Sequence, residues 1–98
     1  LLLHECPGSS SGVRDLAAAL ATDRTVYAID LPGVGESDPL SMPDVAHYTT
    51  ALTQLLDALG LTQVDVVAEF TAVPFAVELA RTAANRVHAL CLDGAWLP

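Results

Sequence analysis

Apolar residues in this chain fall into short runs and longer stripes that alternate along its length. Leu1-Leu2-Leu3-His4 is a brief apolar run closed by Pro7-Gly8 and three serines, the pattern of a buried strand entering a turn-rich loop. From Ser11 the spacing changes. Val13, Leu16, Ala17 and Leu20 recur at i, i+3, i+4 and i+7, which predicts a helix of about 10 to 12 residues that starts at the serine-rich cap and stops near Asp23. A β-branched run from Thr25 to Ile29 predicts a second strand, followed by loop formers from Asp30 to Pro39. After Pro43-Asp44, the spacing of Val45, Tyr48, Leu52, Leu55, Leu56 and Leu59 puts one apolar stripe on a helix, with Gly60 at its C′ position. Val64 to Val67 predicts a third strand. The helix after it tolerates Pro74 in its first turn, where the backbone N–H has no intrahelical partner to lose, and runs to about Ala83 or Ala84. Val87 to Leu92 is the fourth strand, ending at Asp93-Gly94, with residues 95–98 as a loop.

Strands alternating with helices imply right-handed crossovers and a parallel sheet: an α/β fold of four strands and three helices, without internal repeat or linker. Hydrophobic residues make up 52% of the 98, enough for one globular core. Twelve acidic residues against four arginines and no lysine give a formal charge of −8, which repels phosphate backbones and anionic headgroups, so neither nucleic acid nor a membrane surface is an expected partner. Every apolar stretch is broken well short of the roughly 18 residues a membrane span needs, and no basic n-region precedes Leu1, so the chain is expected to be cytoplasmic. No metal or cofactor is expected. Cys6 follows the first strand and Cys91 lies in the last, with a whole strand between them in the sheet, so two free thiols are expected. A start at Leu1 inside an apparent strand reads as an internal piece of a longer polypeptide.

The candidate chemistry sits where strands end. Val64 to Pro74 enters a tight turn of small residues as a strand and leaves as a helix, the layout of a nucleophile elbow, in which a sharp turn lifts one side chain above a parallel sheet. Ala68-Glu69-Phe70-Thr71-Ala72 stands on the G-x-S-x-G pattern, with Phe70 at the nucleophile position. Leu1 to Ser9 looks like a strand followed by a His-Gly oxyanion loop, with Glu5 in place of the glycine. Asp30-Leu31-Pro32-Gly33-Val34-Gly35-Glu36-Ser37-Asp38 looks like a D-x-P-G-x-G-x-S-D loop. In this order and spacing the three patterns resemble the α/β-hydrolase superfamily over essentially the whole chain.

That resemblance implies a three-layer fold whose strands correspond to the third through sixth of the family sheet, in spatial order 4-3-5-6. The chain is then a single partial domain over residues 1–98, without the later strands and the triad histidine. The sheet reverses direction between its first and third strands, and ligands in open α/β sheets bind at the carboxyl ends of strands at such a switch point. The resemblance implies oxyanion-hole donors from the backbone of Cys6 and Thr71, and places Asp93 where some members carry their catalytic acid. It relates the chain to esterases and lactonases, which hydrolyse by acyl transfer.

Phe70 has no acidic proton and no lone pair with which to attack, so no catalytic residue is assigned and the chain as it stands is expected to be inactive. Two readings stay open for the ring: an apolar wall or lid for a ligand, or a decayed site or variant in which the residue packs to fill the pocket. The alternative to a hydrolase is accordingly a non-catalytic member of the fold that binds a small apolar or ester-like molecule or a partner. Thr71 is expected to cap the following helix, His4 to hold its loop by bonding backbone, and Asp30 to gather loop N–H groups. Cys6, with Glu5 beside it and no cation near in sequence, lacks the setting of a reactive thiolate. Pro7 to Gly12 lacks the Lys-Ser/Thr of a P-loop. His47 on a helix and His88 at the amino end of a strand lie away from the elbow. Open edges and incompletely covered apolar sheet surface imply self-association of this segment.

Overall fold

The computed structural model describes residues 1–5, 8–42 and 44–94; residues 95–98, expected as a loop, lie outside it. Its strands are β1 (Leu2–Leu3), β2 (Ala28–Ile29), β3 (Val64–Glu69) and β4 (Val87–Asp93). All pair in parallel, in the order β2-β1-β3-β4, so the sequence-based architecture and strand order are those of the folded chain. The helices are α1 (Arg14–Leu20), α2 (Val45–Ala58) and α3 (Val73–Thr82).

Strand lengths differ from the expectation for a reason that lies in the register. Leu2 pairs with Ala28 and Leu3 with Ile29, and the Leu2 N–H donates to the Tyr27 carbonyl at 2.9 Å. β2 thus has two residues, where five were expected. β3 and β4 run longer than predicted because they continue to bond through the Glu69–Asp93 pair. At their start the register shifts: Val64 pairs with Val87 and Asp65 with Ala89, leaving His88 on a bulge where its Nδ1 lies 2.8 Å from Asp65 Oδ1.

Local chemistry fixes the helix ends. The Asp44 carboxylate accepts the His47 N–H at 2.8 Å and starts α2. At the other end Gly60 takes φ +70°, its N–H bonds the Asp57 carbonyl, and the Leu61 N–H reaches back to Leu56 at 2.9 Å, a Schellman termination that relies on glycine's access to the left-handed region. Ser9 accepts from the Ser11 N–H and starts a 3₁₀ turn, Ser10–Val13, that leads into α1. α3 likewise opens through a 3₁₀ turn, Phe70–Ala72, and carries Pro74 in its first turn as expected.

Side chains alternate across the sheet. Leu3, Val66 and Ala68 point to one face, where they meet Leu52 and Leu56 of α2 and Val73, Ala76 and Leu79 of α3 in a closed core. Tyr48 and Phe75 stack at 4.8 Å where these two helices cross. The other face is thinly covered. α1 buries none of its own residues, Leu16 stays 37% exposed, and of its predicted apolar stripe only Val13 is buried. Beyond the reach of α1, Ala89 and Cys91 on β4 are exposed, and Cys91 is a free thiol. Among the described residues no helix is long and apolar enough to cross a membrane.

Candidate functional site

β1 lies between β2 and β3, so the chain goes outward from β1 to β2 and then returns to the far side of β1. At the carboxyl ends of the strands this reversal gathers three segments: the residues after β1, the loop after β2, and the turn after β3. Leu3 pairs with Ala68, so His4 and Glu5 leave the sheet directly beside Glu69 and Phe70. In an open parallel sheet this is the crevice where a ligand is received.

The turn after β3 is the most constrained part of that crevice. Phe70 has φ +46°, and among the described residues every other positive φ belongs to a glycine. A bulky side chain in the left-handed region is sterically opposed, and such strain persists where surrounding structure overrides it. Here the override comes from both sides: Ala68 is fully buried in the sheet, and Ala72 and Val73 are fully buried at the start of α3, so the chain must reverse within three residues. Small residues at 68 and 72 let the strand and helix approach.

Phe70 is 45% exposed in this chain. Its ring lies across Gly94, where a Cβ would collide with ring carbons. Since Glu69 pairs with Asp93, the residue after each strand end sits beside the other, and the ring is laid over the end of β4, away from β1. Gly94 thus shapes the site. The sequence offered only the Asp93-Gly94 pair as a strand end, and nothing in it tied that glycine to Phe70.

Thr71 lies half-buried within the 3₁₀ turn. The cap positions are Glu69 ahead of that turn and Ala72 ahead of α3, and neither of these two bonds the turn through its side chain. Asp93 is exposed at the end of β4, in register with half-buried Glu69. Cys6, the other candidate oxyanion donor, lies outside the described residues. His47 is bound to Asp44 and His88 to Asp65, both away from the turn, as the sequence implied.

His4 and Asp30 organise the neighbouring loops. His4 is 1% exposed; its Nε2 accepts the Leu31 N–H at 2.9 Å, which leaves the ring proton on Nδ1 to be donated to the Glu5 carbonyl at 2.8 Å. The ring holds the exit of β1 to that of β2. Asp30 Oδ1 accepts from Ser10 N–H at 2.8 Å and Oδ2 from Glu36 N–H at 3.1 Å, while its own carbonyl accepts the Ser37 hydroxyl. Those N–H donors, the Ser10 amide first, hold the Asp30 carboxyl below its ordinary value. Gly35, at φ +54°, lies against this carboxylate, and a Cβ there would collide with it. Among the described residues no group of three or more His, Cys, Asp or Glu is arranged to hold a metal. A cavity of about 320 Å³ lined by Leu2, Leu20, Tyr27, Asp65 and Val67 sits at the amino ends of the strands, the opposite end from Phe70, and takes no part in this crevice.

The sequence profile of the α/β hydrolase fold matches residues 1–98. No curated protein matches the chain. Among solved structures, an ancestral haloalkane dehalogenase aligns with a TM-score of 0.85 and 26% identity over 95% of this chain and 33% of its own. Cfl2 from Burkholderia cenocepacia aligns with a TM-score of 0.86 and 28% identity, over 93% and 31%. The haloalkane dehalogenase DatA from Agrobacterium tumefaciens C58 gives 0.82 and 26%, over 95% and 32%. The chain spans about a third of the length of each of these structures.

Proposed function

The chain belongs to the α/β-hydrolase fold family, and on that footing we propose that it forms the nucleophile-elbow portion of a hydrolase site, related to those of esterases and lactonases, in which Phe70 has replaced the nucleophile. The observation that carries this reading is the left-handed φ of Phe70 at the end of β3, the strained turn an elbow requires, kept by a residue that gains nothing chemical from it. In an active arrangement the residue at 70 attacks a carbonyl carbon. The resulting oxyanion is held by the backbone N–H of Thr71 and a second donor from the loop after β1, at Cys6. Phe70 cannot form that bond, so this chain is inactive as it stands. Asp93, at the end of β4, is the candidate for the acid.

A second reading is favoured by the exposure of the ring. A half-exposed aromatic laid over Gly94 presents an apolar wall at the switch point, which suits a non-catalytic role in binding a small apolar or ester-like molecule.

The test is Phe70→Ser in the natural polypeptide that contains this stretch, assayed for ester hydrolysis and for labelling by a fluorophosphonate. The names of the similar structures add haloalkanes to the substrates to be assayed. Gain of labelling and turnover supports a site that lacks only its nucleophile. A folded variant with neither overturns that reading and leaves the binding role.

A further inference from the structure

We propose that Gly94 is a seat for the Phe70 ring, and that the side chain at position 94 decides whether this ring stands beside the ends of β1 and β3 as a wall or closes over them. The functional meaning rests on the apolar-ligand reading given above; the seat itself stands on geometry alone. A Cβ placed on Gly94 would lie 2.6 Å from Cδ1 of Phe70, 2.9 Å from Cζ and closer still to Cε1, so the ring occupies the volume that any side chain at 94 needs. Gly94 itself has φ +62°. Since Glu69 and Asp93 are paired in register, residues 70 and 94 follow directly from the neighbouring ends of β3 and β4.

The ring cannot make way for a side chain by small adjustments. Spinning it about the Cβ–Cγ bond swings Cδ1 and Cε1 aside, but Cζ lies on that axis and stays where it is, too close for a Cβ. The backbone of the turn cannot yield either, because Ala68, Ala72 and Val73 are fully buried on both sides of it. What remains is the Cα–Cβ torsion, whose staggered wells are about 120° apart, so a side chain at 94 moves the ring by a whole well. β3 lies between β4 and β1, and a ring turned off β4 keeps apolar contact only on the side of β1, where Leu3 pairs with Ala68 and Glu5 follows. The present seat leaves that side clear. Gly94 is thus a positioning residue for an apolar ligand at the switch point: it touches no ligand and acts through the ring.

The variant is Gly94→Asn, which brings in a Cβ on the residue type that, after glycine, best tolerates a left-handed φ. NMR reads the place of the ring without any ligand. In the native chain the Gly94 Hα signals are displaced by the ring current, and they lose that displacement in Phe70→Ala. In Gly94→Asn the nuclear Overhauser contacts of the ring pass from residue 94 to His4 and Glu5, while the Val66 and Ala68 amides in β3 keep the exchange protection of a folded sheet. Undisplaced Gly94 signals in the native chain overturn the seat, with no variant required. A ring in Gly94→Asn that contacts neither His4 nor Glu5 overturns the closure; loss of protection at Val66 and Ala68 would make Gly94 a requirement of folding and overturn it equally. Binding is read by fluorescence titration with Nile red, a neutral apolar dye. Gly94→Asn weakens it roughly tenfold, and in the Phe70→Ala background the same substitution changes nothing, because it acts only through the ring. An equal effect with and without the ring, or no effect with it, overturns the positioning role. A native chain that binds no Nile red overturns the apolar-ligand reading and the role that rests on it, while the ring current still decides the seat.

Discussion

At position 70 glycine should be more stable than alanine, the reverse of the usual order. In ordinary helix or strand backbone, glycine is worse than alanine by roughly 0.5–1 kcal/mol because it loses more conformational freedom on folding. With φ +46° the steric opposition of a Cβ enters with the other sign and costs roughly 1–2 kcal/mol. The difference should therefore lie between zero and about 1.5 kcal/mol in favour of Phe70→Gly. Against the native chain, removing the ring forfeits burial. A fully buried phenylalanine contributes roughly 1.5–3 kcal/mol, and with the ring 45% exposed about half of that is at stake. Phe70→Gly thus lands within about 1.5 kcal/mol of native, whereas Leu56→Ala in the closed core should cost roughly 2–5 kcal/mol. Urea unfolding of the three variants beside the native chain measures this directly, with equal m-values as the check that the unfolded states match. Alanine more stable than glycine at 70 would refute the left-handed turn. A loss beyond about 2.5 kcal/mol in Phe70→Gly would mean that the ring is core packing after all.

Gly35→Ala should destabilise by at least the roughly 1–2 kcal/mol of a left-handed non-glycine residue, with the Asp30–Glu36 bond lost as well, visible as a lowered melting temperature and a shifted Glu36 amide. Arg86 donates to the carbonyls of Leu61 and Thr62 and to the Asp57 carboxylate, so Arg86→Lys, which lacks the planar fork, should lower stability by about 1.5–3 kcal/mol in denaturant melts, and a neutral outcome would remove Arg86 as the clamp between α2 and β4. The open edge of β4 and its exposed Leu90 lead us to expect concentration-dependent self-association of the isolated chain in sedimentation velocity, reversed by Leu90→Lys; a monomeric native chain refutes it. Because the Asp30 carboxyl is held below its ordinary value, its contribution to stability is present above the unfolded-state value and is lost as pH falls through the folded one, so acid should loosen the loops at Ser10 and Glu36 and have no such effect in Asp30→Asn.

What was legible in the sequence is what local chemistry decides, and what was not is set by neighbours in space. The order of strands followed from alternating runs and stripes, and Asp44, Gly60 and Pro74 marked helix ends because capping, left-handed φ and a missing donor are properties of single residues. The length of β2 was not readable, since its β-branched run covers Thr25 to Ile29 but only Ala28 and Ile29 pair with β1, a matter of register. The candidate site divides in the same way. Phe70 was found by its place in a pattern, and Asp30 and His4 by residue types that bond backbone at loop starts. The exposure of Phe70 was missed because it depends on Gly94, a residue 24 positions later that reaches it only through the Glu69–Asp93 register. The elbow geometry and the chemistry it serves are therefore separable in this chain. The strained turn follows from Ala68, Ala72 and Val73 being buried on either side of it, so it survives whichever side chain occupies position 70. For that reason one substitution at Phe70 suffices to ask whether the rest of a hydrolytic site is still in place.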